Sequence, residues 1–302
     1  MHNRYNDLNT YLRSLFGCRV QKITVDAGLT CPNRDGTLSN HGCIYCNDRG
    51  SGTGAFASGI SVTEQLLQGK DFLSRRYKAK KFIAYFQSFS NTYAPPEILK
   101  RLYDEALSVE DIVGLSIGTR PDCVNDSVLA LLQGYASDYL IWIEYGLQSA
   151  SDKTLELINR GHDYRSFEEA VKKSLNRGIK ICAHVILGLP NESKADMLRT
   201  AKVIAGLGLD GIKLHLLYVI RGTLLETYYR KGEYKCLEQD QYVDLVCDFI
   251  EHMPSDIIFQ RLTGDPHPHE LIAPQWALNK SETLAKIRST LDRRKSVQGM
   301  KC

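Results

Sequence analysis

The sequence predicts an α/β chain on a parallel sheet, best read as a partial (β/α)6 TIM-like barrel with a small, mostly helical carboxy-terminal extension. Three observations carry that reading. Short β-branched runs alternate with longer amphipathic stretches from residue 22 to residue 217. Strand, helix, strand in that order demands parallel strands joined by right-handed crossovers. The runs are also nearly continuous in apolar residues, as strands are when covered on both faces or closed into a barrel.

In order, the strands are expected at Lys22–Asp26, Lys81–Phe86, Ile112–Gly118, Tyr139–Gly146, Ile179–Leu187 and Asp210–Leu217, where β-branched and aromatic residues concentrate. Between them Val62–Tyr77, Glu97–Leu107, Asp126–Gly134, Phe167–Arg177 and Lys194–Ala205 carry apolar residues at helical spacing. Six units are fewer than the eight of a closed barrel, hence a partial one. A doubly wound open sheet is the alternative. From about Leu224 onward, helices over Gln241–His252 and Ser281–Arg293 surround a proline-rich loop, Thr263–Pro274. This part is expected to close the open side, with a core domain over 15–251 and the extension over 252–302. Both architectures gather ligands at the carboxyl ends of the strands, so functional residues should follow each run.

Composition narrows the class. Of 302 residues, 43% are hydrophobic and 24% charged, as in soluble globular proteins, and the net charge of +3 excludes a polycation. Nucleic-acid binding would have to rest on local basic patches. The amino-terminal stretch MHNRYNDLNTYLRSLF has no uninterrupted apolar core, unlike a secretory signal. No apolar run approaches the roughly 20 residues that span a bilayer. A cytoplasmic location without a membrane partner is expected. Nine cysteines, an odd number, argue for reduced thiols rather than a disulfide framework. Cys182 and Cys247 sit in apolar patterns and read as small buried hydrophobes.

Three cysteines differ. After the first strand comes Cys31-Pro-Asn-Arg-Asp-Gly-Thr-Leu-Ser-Asn-His-Gly-Cys43-Ile-Tyr-Cys46. A two-residue gap lets adjacent thiolates converge on one metal centre, and the polar, glycine-bearing loop can fold back to bring Cys31 there. Three thiolates leave one iron of a cubane without a protein ligand. The amino and carboxylate groups of S-adenosylmethionine can chelate that iron, and an electron then breaks a sulfur–carbon bond to give a 5′-deoxyadenosyl radical. Tyr45 could pack near the adenine. The alternative is a structural zinc site with His41 or Cys18 as fourth ligand.

The other strand ends discriminate. They carry Gln87-Ser88-Phe89-Ser90-Asn91-Thr92, Gly118-Thr119-Arg120-Pro121-Asp122, Glu144-Tyr145-Gly146-Leu147-Gln148-Ser149 with Asn159-Arg160-Gly161-His162, and His184-Val185-Ile186-Leu187-Gly188-Leu189-Pro190. From about Leu15 to about Glu251 the chain resembles the radical S-adenosylmethionine superfamily, and within it the branch of the Elongator catalytic subunit and oxygen-independent coproporphyrinogen oxidase. The eleven-residue cysteine gap looks like a small bacterial family related to that subunit. The resemblance implies a 4Fe–4S cluster on Cys31, Cys43 and Cys46, and S-adenosylmethionine held by Arg120, Gln148, Arg160 and His184, with Tyr45 near the adenine and the Ser88 hydroxyl or backbone carbonyls standing in for a missing glycine pair. Two departures stand out: the usual glycine pair after the second strand is absent, and Gly118 replaces a glutamate. Glu144, in an apolar strand, needs a partner, and an ion pair with Arg120 or Arg160 is one option. Lys213 and His215 alternate with apolar residues, point into the barrel, and are substrate-side candidates.

For the substrate, the resemblance implies RNA, specifically side-chain chemistry at a tRNA wobble uridine, with a flavodoxin or ferredoxin as electron donor. The chain ends without the Elongator subunit's acetyltransferase domain. The expected reaction is therefore hydrogen abstraction from an existing substituent, such as carboxymethylaminomethyl uridine going to aminomethyl uridine. Arg75–Lys81 and Lys286, Arg288, Arg293, Arg294 and Lys295 form basic clusters suited either to phosphates or to solvated faces. Tyr218, Arg221 and the Thr263–His269 loop are candidates for the substrate mouth. A small molecule such as a tetrapyrrole, or a non-catalytic zinc-stabilised RNA-binding module, remains as alternative.

Overall fold

The computed structural model describes residues 4–48, 50, 55 and 58–302. The first three residues of the amino-terminal stretch lie outside these. Residues Leu8–Phe16 form helix α1, opened by the Asp7 carboxylate accepting from Thr10 N at 3.0 Å and closed at Gly17, whose φ of +66° a side chain would oppose.

Strand β1 (Val20–Val25) follows, then α2 (Val62–Tyr77), β2 (Lys81–Phe86), α3 (Pro96–Leu107), β3 (Ile112–Thr119), α4 (Asp126–Tyr135) and β4 (Leu140–Gln148). Next come α5 (Asp152–Leu157), α6 (Tyr164–Ser174), β5 (Lys180–Leu187), α7 (Lys194–Ala205), β6 (Gly211–Leu216), β7 (Val219–Ile220) and α8 (Leu224–Arg230). The chain finishes with α9 (Gln239–Glu251), β8 (Ile258–Arg261), β9 (Leu271–Ala273) and α10 (Lys280–Arg294). Helix α2 starts with a reciprocal cap between Ser61 and Glu64, and α7 with one between Ser193 and Asp196.

The main sheet runs β1-β2-β3-β4-β5-β6-β8, with every neighbouring pair parallel. It has seven strands where the sequence suggested six. The seventh, Ile258–Arg261, comes from the carboxy-terminal extension and lies beside β6. Strands β7 and β9 form a separate antiparallel pair.

The sheet is curled. Strands β1 and β8 are its two edges, which six inter-strand spacings would hold roughly 29 Å apart in a flat sheet. Instead Lys22 Nζ on β1 donates to Gln260 Oε1 on β8 at 2.6 Å. Helix α1 packs against both edge strands, and Phe259 N donates to Asn6 O at 2.8 Å, so the opening is covered, while among the described residues β1 and β8 share no backbone ladder. This is the partial barrel expected from the sequence.

Alternation along the strands divides the core. Outward residues such as Ile141, Ile143, Tyr145 and Leu147 of β4 pack under the helices. Inward residues form layers. The lowest layer is apolar, with Trp142, Cys182 and Ile258 meeting Leu8 and Tyr11. The next is polar, built from Lys22, Ser116, Glu144, His184 and Lys213. Above it the strand ends open into a cavity. Among the described residues no helix is long and apolar enough to cross a membrane.

Candidate active site

A cavity of about 470 Å³ lies at the carboxyl ends of the strands, lined by Cys31, Cys43 and Cys46. That is the size of a small-molecule site. All three cysteines are free thiols; Cys31 and Cys43 are buried and Cys46 is half-buried. The long loop returns on itself through backbone bonds: Arg34 N to Cys31 O at 2.8 Å, Gly42 N to Asn33 O at 2.7 Å, and Cys46 N to Cys43 O at 2.9 Å. It is tied to the end of α5 by Ile44 N to Ile158 O at 3.1 Å and by Asn159 Nδ2 to Gly42 O at 2.6 Å. The eleven-residue gap is therefore a closed loop that brings its two ends to one cavity.

Three donors point at the sulfurs. Arg34 Nη1 lies 3.6 Å from Cys46 Sγ, Arg160 Nη1 3.7 Å from Cys43 Sγ, and Asn33 Nδ2 3.8 Å from the same atom. Such donors favour thiolate over thiol and tune a metal bound there. Burial pushes the Cys46 thiol up to about 11, with the Cys43 charge adding and Arg34 opposing. A metal must therefore displace its proton on binding. The Arg160 guanidinium is held by Gly146 O, at 3.1 Å from Nε and 2.7 Å from Nη2, and a Cβ on Gly146 would collide with it.

This donor set fits a cluster. Among the described residues no three His, Cys, Asp or Glu side chains converge as ligands of a single ion. A cubane, which spreads its thiolates over separate irons, matches three thiols around one cavity. The proposed fourth zinc ligands lie elsewhere. His41 is exposed, and Cys18 lines a groove with Arg13, Tyr77 and Lys80 at the opposite end of the strands.

Of the residues expected to hold S-adenosylmethionine, Tyr45, Arg120, Gln148, Arg160 and His184 line the cavity. Ser88 does not; it is buried, its Oγ has no partner among the described residues, and Ser90 faces the cavity instead. The left-handed Phe89, φ +62°, redirects the chain between them. Gln148 sits at φ +76°, costly for a non-glycine residue, where the β4–β5 register shifts. Its amide hangs over Gly146 without a hydrogen bond among the described residues, free to meet a ligand.

Arg120 is engaged within its own motif. Its Nε and Nη2 fork onto Asp122 at 3.0 and 2.7 Å, and Nη1 donates to Arg160 O at 2.5 Å. It braces Arg160 and the turn after β3 rather than presenting a free fork.

Glu144 is fully buried and pairs with neither Arg120 nor Arg160, contrary to that option from the sequence. Its partners are Lys22 Nζ at 2.6 Å, His184 Nε2 at 2.8 Å, Lys213 Nζ and Ser116 Oγ. The reason is alternation: these side chains share one inward layer, whereas Arg120 and Arg160 lie above it. Burial alone would raise the Glu144 carboxyl, but Lys213, then Lys22, then His184 outweigh it and hold it well below the usual range. Burial lowers Lys213 to about 7 against the pull of Glu144. It also lowers His184 to about 4, so this imidazole is neutral at pH 7 and donates Nε2–H to the carboxylate.

Lys213 lies inside as expected, 4.0 Å above the Tyr85 ring, and His215, Tyr218, Asp265 and His267 line the cavity. Arg221 is exposed outside it. The rings of His267 and His269 are 5.4 Å apart and belong to no ligand cluster among the described residues. Sequence reasoning missed Lys22, Asn33, Arg34 and Arg261. A lysine and a glutamine alternating with apolar residues on β1 and β8 were the available signal for the inner layer.

The basic clusters are placed less favourably for phosphate. Arg75–Lys81 ends α2 and begins β2, at the amino ends of the strands and so at the opposite end of the sheet from the cavity. In the other cluster, Lys286 binds Asp240, and Arg294 binds Asp244, Asp248 and Glu251 of α9.

A curled parallel sheet with three thiols at its carboxyl ends defines a cluster-binding enzyme of radical type. The chain matches the Radical SAM superfamily over residues 37–204 and the Radical_SAM C-terminal domain over 209–293, and it belongs to that superfamily. Its cofactors are those of the superfamily, a 4Fe–4S cluster and S-adenosylmethionine. The uncharacterized protein YtqA of Bacillus subtilis (strain 168) is 43% identical over 98% of this chain and 92% of its own length. The tRNA uridine(34) acetyltransferase of Dehalococcoides mccartyi (strain CBDB1) is 27% identical over 51% of this chain and 33% of its own. In fold the chain is similar to the archaeal Methanocaldococcus infernus Elp3 with an amino-terminal deletion: TM-score 0.70, 18% identity, 92% of this chain and 64% of that one.

Proposed function

We propose that this enzyme remodels the side chain of a tRNA wobble uridine by abstracting a hydrogen atom from an existing substituent. The observation that carries the reading is the sequence shared with a tRNA uridine(34) acetyltransferase, 27% identical over half of this chain. Loaded with its cofactors, the site supplies a 5′-deoxyadenosyl radical as hydrogen acceptor. The protein's share is to hold and position. Cys31, Cys43 and Cys46 bind the cluster, Arg34 and Arg160 offset the charge on its thiolates, and Tyr45, Gln148 and Ser90 face the cavity where the second cofactor would lie.

The reaction that fits is carboxymethylaminomethyl uridine going to aminomethyl uridine. With atoms balanced, the substituent and one water yield the aminomethyl group and glyoxylate. They give up one hydrogen atom, one electron and one proton. The hydrogen atom goes to the 5′-deoxyadenosyl radical and the electron to a flavodoxin or ferredoxin, the carrier class that also delivers the reducing electron. Nucleoside mass spectrometry of tRNA from a deletion strain tests this. Carboxymethylaminomethyl uridine is expected to accumulate at the cost of aminomethyl uridine and its derivatives; unchanged wobble nucleosides would remove the proposal.

A further inference from the structure

One guanidinium in the cavity has no partner among the described residues. Arg34 is paired with Asp48, Arg120 with Asp122, and Arg160 rests on the Gly146 carbonyl. Arg261, the last residue of β8, also lines the cavity, yet it makes no hydrogen bond or ion pair among the described residues. Its inward aim comes from the backbone. The β6–β8 register shifts between Ile212 and Lys213, so Lys213 stands opposite Arg261. Gln260 then meets Lys22 in the interior while its neighbour Arg261 also faces the cavity. Irregularities of this kind re-aim side chains beside functional sites.

The surroundings make the missing partner an anion. Lys22, Lys213 and Arg261 bring three basic groups to this end of the barrel; of the nearby carboxylates, Glu144 is already shared by both lysines, and Glu270, on the cavity wall, accepts from Asn47 Nδ2 at 3.3 Å. Asp265, near the mouth, is bound to Lys280 at 2.8 Å. A guanidinium without a counter-charge in a half-buried cavity is costly until an anion joins it. Beside Arg261, His215 also lines the cavity, and its Nε2 is buried without a partner among the described residues. Burial, and then the Arg261 charge, hold this ring well below the usual histidine range. It is a neutral imidazole that can donate from Nε2 in the tautomer that protonates that nitrogen.

We propose that Arg261 and His215 form a carboxylate-binding subsite for the substrate, with Lys213 contributing its field from the layer below. A guanidinium fork matches a carboxylate bidentately, and the imidazole N–H can satisfy a remaining lone pair. The inference rests on the wobble-uridine reading only for the source of the carboxylate, the carboxymethyl end of the substituent. Anchored on β8, that end lies in the same cavity as the three thiols.

Two arms test it with the cluster-loaded enzyme. In the first, turnover is compared on tRNA bearing carboxymethylaminomethyl uridine and on the same tRNA with that carboxylate converted to its amide. The wild type is expected to prefer the acid by about 100-fold in kcat/KM, as for loss of one partner of a desolvated charge pair. Arg261→Gln should erase that preference chiefly through KM, and Arg261→Lys should restore part of it. In the second arm, phenylglyoxal modification of Arg261 is followed by peptide mass spectrometry. N-methylglycine should slow it, and N-methylglycinamide should not. The subsite is overturned if acid and amide are used equally, if Arg261→Gln loses S-adenosylmethionine affinity in proportion to substrate affinity, or if N-methylglycine gives no protection. Protection without any tRNA turnover would uphold the subsite and remove the wobble-uridine reading. Equal turnover of acid and amide would do the reverse.

Discussion

Cys43→Ala is expected to lose both iron loading and S-adenosylmethionine cleavage, the latter by at least about 10³-fold, or roughly 4 kcal/mol of barrier. Cys43 is the most heavily supported of the three thiols. Arg160 Nη1 and Asn33 Nδ2 both point at its sulfur, and Arg160 is itself held by Gly146 O and braced by Arg120 through its own carbonyl. Alanine removes the ligand and leaves this scaffold aimed at a methyl group, so the buried guanidinium loses the negative charge it faces. Iron and sulfide content, with 5′-deoxyadenosine formed after reduction, measures the effect, and circular dichroism confirms the fold. A Cys43→Ala protein that kept its iron and its cleavage rate would show that this thiol is not a ligand.

Glu144→Leu is expected to lower the unfolding free energy by about 3–5 kcal/mol, the cost of stripping one partner from a buried ionic group. The carboxylate lies between Lys22 and Lys213, accepts from His184 and Ser116, and is 0% exposed. Without it two lysines remain in the barrel with no counter-charge. Adding Lys213→Met to Glu144→Leu should recover part of the loss, because an apolar replacement of both partners is tolerated better than a stranded charge. The pH dependence has a definite sign. The folded-state pKa of Glu144 is well below its ordinary 4.5, so its contribution is fully present above pH 4.5 and fades as pH falls through the folded value. Urea titrations should therefore show the gap between wild type and Glu144→Leu narrowing below pH 4.5. A gap below 1 kcal/mol at pH 7 would mean that the buried network holds little of the barrel together.

Several elements could be read from the sequence because their signals are local. Val62–Tyr77, Lys81–Phe86 and Lys194–Ala205 match their expected limits at both ends, each bounded by a cap or a polar turn. That the three cysteines meet at one cavity was legible for the same reason: spacing along a short loop is a local property. β4 runs on to Gln148 because the left-handed residue that ends it still pairs with β5. The seventh strand escaped notice because it has four residues, and the last two, Gln260 and Arg261, are polar ones turned toward an interior polar layer. That layer was the hardest feature to see. Lys22, Glu144 and Lys213 stand on β1, β4 and β6, and only the curl of the sheet brings them together. Sequence proximity suggested arginines for Glu144; inward alternation chose lysines. Likewise Ser88 carried the expected chemistry, but Phe89 turned the chain so that Ser90 faces the cavity.

The most direct measurement is anaerobic reconstitution with iron and sulfide, followed by metal and sulfide analysis and by dithionite reduction with S-adenosylmethionine. About four irons and four sulfides per chain are expected on the three thiols, together with accumulating 5′-deoxyadenosine. One zinc per chain without sulfide, or a full cluster that yields no 5′-deoxyadenosine, would contradict a cubane with one corner open to the cofactor.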